Sequence, residues 1–425
     1  MISLRPYQSA AVDAAVGYLR AGRHPLIVQA TGTGKTRVIA RFVELARGRV
    51  VVVVHRRELV VQAADTIEEL LGRRPAIEMG DDHAPPGAWC VVASRDSLAR
   101  RLDAYPPGSV SLVVVDEAHH SSSPTMKRIF ASLACLRVGV TATPGARPAT
   151  LGFDGVAYSY GIREGITDGV LVRPLAVQVD ARVDWTQLRV SGRDYTDASA
   201  EAAIAPALGE WCRAVVELAG DRPGVMFLPT VASAYAAAET LRALGMTAAA
   251  ADGSTPTAER EQILRDYAAG RIQCVVNCAL WTEGWDAPHT AFVAVGRPTR
   301  NSGFYAQMVG RGLRLSPGKA DCLVIDLAAS GDHCDLVLAS LADEMGAPPA
   351  AREASRGRPG QVVDVMAVVE RVEMEARAAE IERVRQIDIL RGERRRAPCS
   401  PKQAAVLRRM GINPEGMTLG QAGAV

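Results

Sequence analysis

Lys35 and Thr36 close the stretch Gln29-Ala30-Thr31-Gly32-Thr33-Gly34-Lys35-Thr36, which follows the apolar run Leu26-Ile27-Val28 and precedes the helix-favouring Arg37-Val38-Ile39-Ala40-Arg41-Phe42. A strand, a glycine-rich turn and a helix start in that order make a phosphate loop. Its glycines let backbone N–H groups approach phosphate, and the helix N-terminus adds positive dipole. Lys35 can reach β and γ phosphates and the Thr36 hydroxyl can ligate Mg²⁺, so Thr31, Gly32, Thr33, Gly34, Lys35 and Thr36 are expected to hold a triphosphate, the alternative being an ordinary Gly/Thr turn between strand and helix. The strict pattern carries glycine where this chain has Gln29.

A second chemical cluster, Asp116-Glu117-Ala118-His119, ends the run Leu112-Val113-Val114-Val115. Adjacent carboxylates at a strand's end are costly near a core unless a cation partners them, and Mg²⁺ supplies one. Asp116 is placed to hold the metal, directly or through water, and Glu117 to orient and deprotonate an attacking water. His119 can couple this site to its neighbours. Near the N-terminus, Leu4-Arg5-Pro6-Tyr7-Gln8 presents a carboxamide fork that matches adenine N6 and N7. Gln8 could read the base with Tyr7 or Arg5 stacking beside it, and a helix start with Pro6 in its first turn explains the same residues equally well.

These side chains need a scaffold. Apolar, β-branched runs at 50–54, 89–93, 112–115 and 138–140 alternate with helical or loop segments. Runs of that kind suit parallel strands covered on both faces, and the architecture is α/β. Ligands in such sheets bind beyond the carboxyl ends of strands. His55 and Arg56 stand there after one strand and Ser94 and Arg95 after another, suited to phosphate contacts or simply solvated.

The composition is globular: 425 residues, 48% hydrophobic and 23% charged, with no apolar run of membrane-spanning length. No signal-peptide pattern opens the chain, so a cytoplasmic location with no membrane contact is expected. Eight cysteines without Cys-x-x-Cys pairs indicate neither a zinc module nor a disulfide framework. The formal net charge of +2 excludes a strong overall basic field and leaves room for nucleic-acid binding in a local groove. Lysine is scarce, Lys35, Lys127, Lys319 and Lys402 being the four, which makes one inside a phosphate loop hard to dismiss as background.

Gln8, the loop from Ala30 to Thr36, Asp116-Glu117-Ala118-His119 and Thr141-Ala142-Thr143-Pro144 occur in the order found in superfamily 2 helicases. The resemblance continues through Val225-Met226-Phe227-Leu228-Pro229-Thr230, Asn277-Cys278-Ala279-Leu280-Trp281-Thr282-Glu283-Gly284-Trp285-Asp286 and Gln307-Met308-Val309-Gly310-Arg311-Gly312-Leu313-Arg314, covering about residues 1–330. It is strongest to RadD-like and phage-encoded DEAD/DEAH helicases, with more distant kinship to UvrB-type and type III restriction motors. The resemblance implies two tandem RecA-like parallel-sheet domains, with ATP and Mg²⁺ between them. It further implies that Gly284 and Asp286 link the nucleotide cleft to the nucleic-acid track. Nucleic acid, expected to be DNA held by its phosphate backbone, should cross the face presenting Arg56, Ser94, Thr230, Thr282 and Arg297. Arg311 and Arg314 are three apart and would share one face of a helix, either as arginine fingers or as a surface salt-bridge pair. The flanking glycines favour close approach and the finger role.

The expected organisation is a first RecA-like domain over 1–180, a linker over 181–205 best marked by polar Asp184 to Ala200, a second over 206–345 and a helical extension over 346–425. Strand Cys322-Leu323-Val324-Ile325-Asp326 is expected to end the second sheet. In the extension, Val368 to Leu390 reads as a charged helix, Arg391 to Arg396 is locally basic, and the tail reads as a helix stopped by Gly411, a turn at Pro414 and a helix begun by Thr418. The function expected is an ATP-dependent DNA helicase or translocase in repair, recombination or phage replication, monomeric, with DNA-processing partners. A duplex translocase without unwinding, an RNA helicase, and a nucleotide-gated binding protein without turnover are the alternatives.

Overall fold

The computed structural model describes residues 2–425 except 56, 144–145, 193, 279–286, 328–341, 343–344 and 357, with the side chains of all of these but 57–58, 356, 384 and 387–395. Two compact units divide the chain, Met1–Met366 and Ala367–Val425.

The first unit contains two seven-stranded sheets. Strands β1 (Pro25–Gln29), β2 (Val50–Val54), β3 (Ala76–Glu78), β4 (Cys90–Ser94), β5 (Leu112–Val115), β6 (Leu136–Thr141) and β7 (Gly155–Tyr160) form one sheet in the order β3-β4-β2-β5-β6-β1-β7. Every pairing in it is parallel. Strand β2 shows why it is buried on both sides. Val50, Val52 and Val54 join a core with helices α1 (Pro6–Arg20), α2 (Lys35–Leu45) and α3 (Arg57–Leu71), while Val51 and Val53 join the opposite core with Tyr105, Met126 and Phe153. An all-valine strand satisfies both faces, because successive side chains point to opposite sides.

The second sheet contains β8 (Arg173–Val179), β11 (Gly224–Phe227), β12 (Ala248–Ala251), β13 (Cys274–Asn277), β14 (Phe292–Val295), β15 (Asp321–Leu327) and β16 (Val362–Asp364); a small hairpin, β9 (Val190–Ser191) with β10 (Asp194–Tyr195), stands apart. Its order is β12-β13-β11-β14-β15-β8-β16, parallel except for the antiparallel pair of β16 with β8. These are the two RecA-like lobes that the sequence leads one to expect.

The boundaries differ from those expectations. Strand β8, within the expected first domain, pairs with β15 along Arg173–Val179 and so belongs to the second lobe. The stretch from Asp184 to Ala200 is not a free linker. Trp185 is 3% exposed and shares the second core with Val183, Ala203 and Trp211, which a solvated linker could not do. Strand β15 is interior, because β8 and then β16 extend the sheet past it, and the lobe runs on beyond residue 345.

Helix Val365–Arg396, all but its first two residues in the second unit, covers the charged pattern expected to be helical. The tail forms helix Pro401–Arg409 and helix Leu419–Ala422, begun by capping boxes from Ser400 to Gln403 and from Thr418 to Gln421. Gly411 takes φ +77°, where a left-handed turn stops the first helix, and Met417 N donates to Pro414 O at 3.2 Å in the turn before the second. Among the described residues no helix is long and apolar enough to cross a membrane.

Candidate active site

The phosphate loop is braced from beneath through a single carbonyl. Thr33 O accepts from Tyr7 Oη (2.7 Å), Gln8 Nε2 (3.0 Å) and Gln29 Nε2 (3.0 Å), and Thr33 Oγ1 donates to Ala30 O (2.7 Å). Gln29 therefore has a definite task at the position where the strict pattern has glycine. It is fully buried and ties the start of the loop to its middle. Gln8 is 1% exposed, and its Oε1 accepts from Arg5 N at 3.0 Å. Its fork faces the loop and its own helix start. Tyr7 stacks on Tyr160 with centroids 4.0 Å apart and fixes α1 against β7. Sequence reasoning named Tyr7 only as a stacking partner and missed Tyr160.

Two glycines shape the loop. Gly34 adopts φ +85°, and a Cβ there would lie 2.7 Å from Gln8 Nε2; Gly32 adopts φ +86°. Only glycine takes these conformations without strain. Replacing Gln29 by Ala is expected to cost about 1 kcal/mol of stability, the worth of one hydrogen bond, because Tyr7 and Gln8 still satisfy Thr33 O. The denaturant midpoint measures this, and no change would show that the strut carries nothing.

Glu117 lies across the loop from Lys35. The Lys35 Nζ to Glu117 Oε1 distance is 3.1 Å, and Glu117 Oε2 lies 3.4 Å from His119 Nδ1. Burial acts to raise the Glu117 pKa, but the Lys35 ammonium and then His119 outweigh it and hold the carboxyl well below the usual carboxylate range. His119 Nδ1 also meets Thr141 Oγ1 at 3.0 Å, and Thr141 Oγ1 donates to Thr143 O at 2.8 Å. His119 thus couples the acidic cluster to the end of β6, as its sequence position led one to expect. Glu117 itself has φ +48°, a left-handed conformation that costs a non-glycine residue roughly 1–2 kcal/mol. Asp116 Oδ1 helps impose it by accepting from Glu117 N at 2.9 Å.

The second lobe closes the cleft. Helix Ser302–Gly310 ends against the loop so tightly that a Cβ on Gly310 would lie 2.7 Å from Thr31 Cβ. Arg311 follows, 7% exposed. The helix stops there, so Arg314 does not continue its face. It forms an isolated antiparallel bridge with Leu171 instead, since Gly312 turns the chain closely over Cys322 and Val293. Both arginines nevertheless line one cleft of about 310 Å³ with Thr31, Gly32, Gly34, Lys35, Thr36, Asp116 and Glu117. Helix α3 contributes Leu59, Gln62, Ala63 and Thr66, which the sequence had not marked because an amphipathic helix does not disclose what its partly buried face meets.

The described residues expected to meet nucleic acid have protein partners of their own. Ser94 is 5% exposed and its hydroxyl accepts from Ser97 N at 3.3 Å as a helix cap, so it presents no open face to phosphate. Thr230 Oγ1 accepts from Ser233 N at 3.1 Å as the cap of helix Val231–Ala243, but Thr230 is only half-buried. Arg297 reaches Asp197 Oδ1 at 2.6 Å and lies over the Phe304 ring. Arg56, Thr282, Gly284 and Asp286 lie outside the described residues.

Comparison with known proteins gives this geometry its family. Residues 1–146 match the family described as type III restriction enzyme, res subunit, and residues 209–316 match the helicase conserved C-terminal domain. Irc3 of Schizosaccharomyces pombe, whose name describes a mitochondrial ATP-dependent helicase, is 32% identical over 368 residues, 81% of this chain and 61% of that protein. The chain thus spans less than two thirds of that relative's length. Among solved structures, the type ISP restriction-modification enzyme LlaBIII bound to DNA shares the fold over 80% of this chain and 28% of its own (TM-score 0.57, 16% identity). Dbp5 of S. cerevisiae, bound to RNA and ADP BeF3, does so over 83% of this chain and 87% of its own (TM-score 0.56, 14% identity). Tandem lobes, a glycine-rich loop opposite an acidic pair, and paired arginines from the far lobe agree with these matches: the chain belongs to the superfamily 2 helicases and translocases, related to the motors of restriction enzymes.

Proposed function

We propose that this chain is a DNA-stimulated ATPase that moves along or unwinds DNA, gripping the phosphate backbone, in repair, recombination or phage replication. The observation that carries the reading is the single cleft lined by Lys35, Thr36, Asp116 and Glu117 from one lobe and by Arg311 and Arg314 from the other.

The residues present fit Mg²⁺ and ATP. Gly32 and Gly34, at φ +86° and +85°, line the cleft beside Lys35, and Thr36 with Asp116 offers the oxygen donors a hard dication takes. When bound, the Mg²⁺ nucleotide supplies the electrophilic phosphorus. Lys35 leaves Glu117 to meet the phosphates, Glu117 orients the water and takes its proton, and Arg311 with Arg314 offsets charge developing on the transferred group. Because the two sets of residues belong to different lobes, turnover is coupled to lobe closure and release. Thr230, Arg56 and Thr282 remain the residues proposed to meet nucleic acid, and Gly284 with Asp286 the link between the two sites.

DNA is favoured over RNA because residues 1–146 match a restriction-enzyme family. Titrating ATPase activity with single-stranded DNA, duplex DNA and RNA tests the reading. DNA should stimulate turnover, with an affinity that falls with salt at a slope of about −0.7 per phosphate contacted on single strands. Equal stimulation by RNA would replace the DNA reading with the RNA one, and absence of hydrolysis with any of the three would leave a nucleotide-gated binding protein. A strand-displacement assay separates unwinding from translocation.

A further inference from the structure

The chain crosses from the first lobe to the second through Val170-Leu171-Val172, and neighbouring amides there bond in opposite directions. Val170 N and Leu171 N donate to Gly165 O on the first lobe at 2.8 and 2.9 Å, whereas Val172 N donates to Leu313 O on the second at 2.8 Å. Leu171 pairs with Arg314 in the antiparallel bridge. Its side chain is 3% exposed. A Cβ on Gly165 would lie 2.7 Å from Leu171 Cδ1, and one on Gly32 would lie 3.2 Å from Leu171 Cδ2 and 2.9 Å from Arg314 Cγ. Lys319 secures the finger segment from its other side, with Nζ donating to Arg314 O at 2.8 Å and to Pro288 O at 3.0 Å.

We propose that Leu171 is a positioning residue for Arg314: side by side with the Arg314 stem against Gly32 of the phosphate loop, it sets the guanidinium's place over the cleft when the lobes close. The inference rests on the ATPase reading above. The hydrogen bonds change lobes between Leu171 and Val172, so any hinging of one lobe on the other acts on this peptide. The backbone pairing carries that movement directly to Leu313 and Arg314. Leu171 touches neither substrate nor metal in this scheme and acts only through where Arg314 stands.

Leu171→Ala is expected to lower kcat for ATP by about 10- to 100-fold, the loss that a misplacement near 1 Å produces, with KM and fluorescent-nucleotide affinity within about threefold. Leu171→Met, which conserves volume, should recover most of the rate. In an Arg314→Ala background Leu171→Ala should have no further effect, because the two residues act as one unit. An unchanged kcat, or an equal fall in both backgrounds, would overturn the inference while leaving the ATPase reading intact; an unmodified chain without ATPase activity would overturn both. If Leu171→Ala does not fold, Leu171→Val carries the same test: the same selective fall in kcat, abolished in the Arg314→Ala background, supports the placement, and an additive fall overturns it.

Discussion

Glu117→Gln is expected to reduce ATP hydrolysis by about 10²- to 10⁴-fold, the range that loss of a positioned general base costs, while nucleotide binding is retained or tightened. The carboxylate is 8% exposed and held 3.1 Å from the Lys35 ammonium. Lys35 and His119 keep it ionised at neutral pH, so it is available to accept a proton from water. Glutamine preserves the side chain's shape but cannot take that proton. The variant also removes an ion pair that triphosphate must otherwise break to recruit Lys35, which is why affinity should not fall. Lys35→Ala has the contrasting phenotype, loss of both binding and turnover. Phosphate release and fluorescent-nucleotide titration on the two variants separate these outcomes. Full hydrolysis by Glu117→Gln would exclude Glu117 as the base.

Arg314→Ala should lower the ATPase rate by about 10³-fold or more, as removal of an arginine finger does elsewhere, with nucleotide affinity little changed. Arg314 lines the cleft opposite Lys35, and its aliphatic stem lies against Gly32 of the phosphate loop. The charge it offsets develops in the transition state, so its loss belongs in kcat rather than in KM. Arg314→Lys should not restore the rate, because an ammonium is a point charge and lacks the planar fork of a guanidinium. Arg311→Ala should also slow turnover, and it should lower thermal stability too, because at 7% exposure its stem fills packed space beside the loop. A rate within twofold of the unmodified protein for Arg314→Ala would place the finger role on Arg311 alone.

Much of this architecture was legible before any coordinates. Valine at every position of 50–54 calls for a strand covered on both faces, and the sheet covers both. Gly411 as a helix stop and Thr418 as a helix start follow from their residue types, and both hold. The loop and the acidic pair could be placed because each follows its own strand, and strand ends are where ligands bind in such sheets. Other assignments failed because they depended on partners far along the chain. The polar stretch after Asp184 looked like a linker, and the burial of Trp185 depends on Trp211 and the helices around it. Arg311 and Arg314 looked like neighbours on one helical face, and the helix ends at Gly310.

What the sequence alone determined is the chemical inventory: a lysine and hydroxyls in a glycine turn, two carboxylates at a strand end, and two arginines flanked by glycine, in an order that names the family. Spacing within a few residues specifies local conformation and side-chain type, and those suffice to predict what each cluster can do. Only the tertiary structure decided which clusters meet. The return of β8 to the second sheet, the convergence of Tyr7, Gln8 and Gln29 on the Thr33 carbonyl, and the pairing of Leu171 with Arg314 are contacts between distant segments. Their free energy comes from packing and hydrogen bonds that exist only once segments distant in the chain have folded together, so no local pattern in the chain records them.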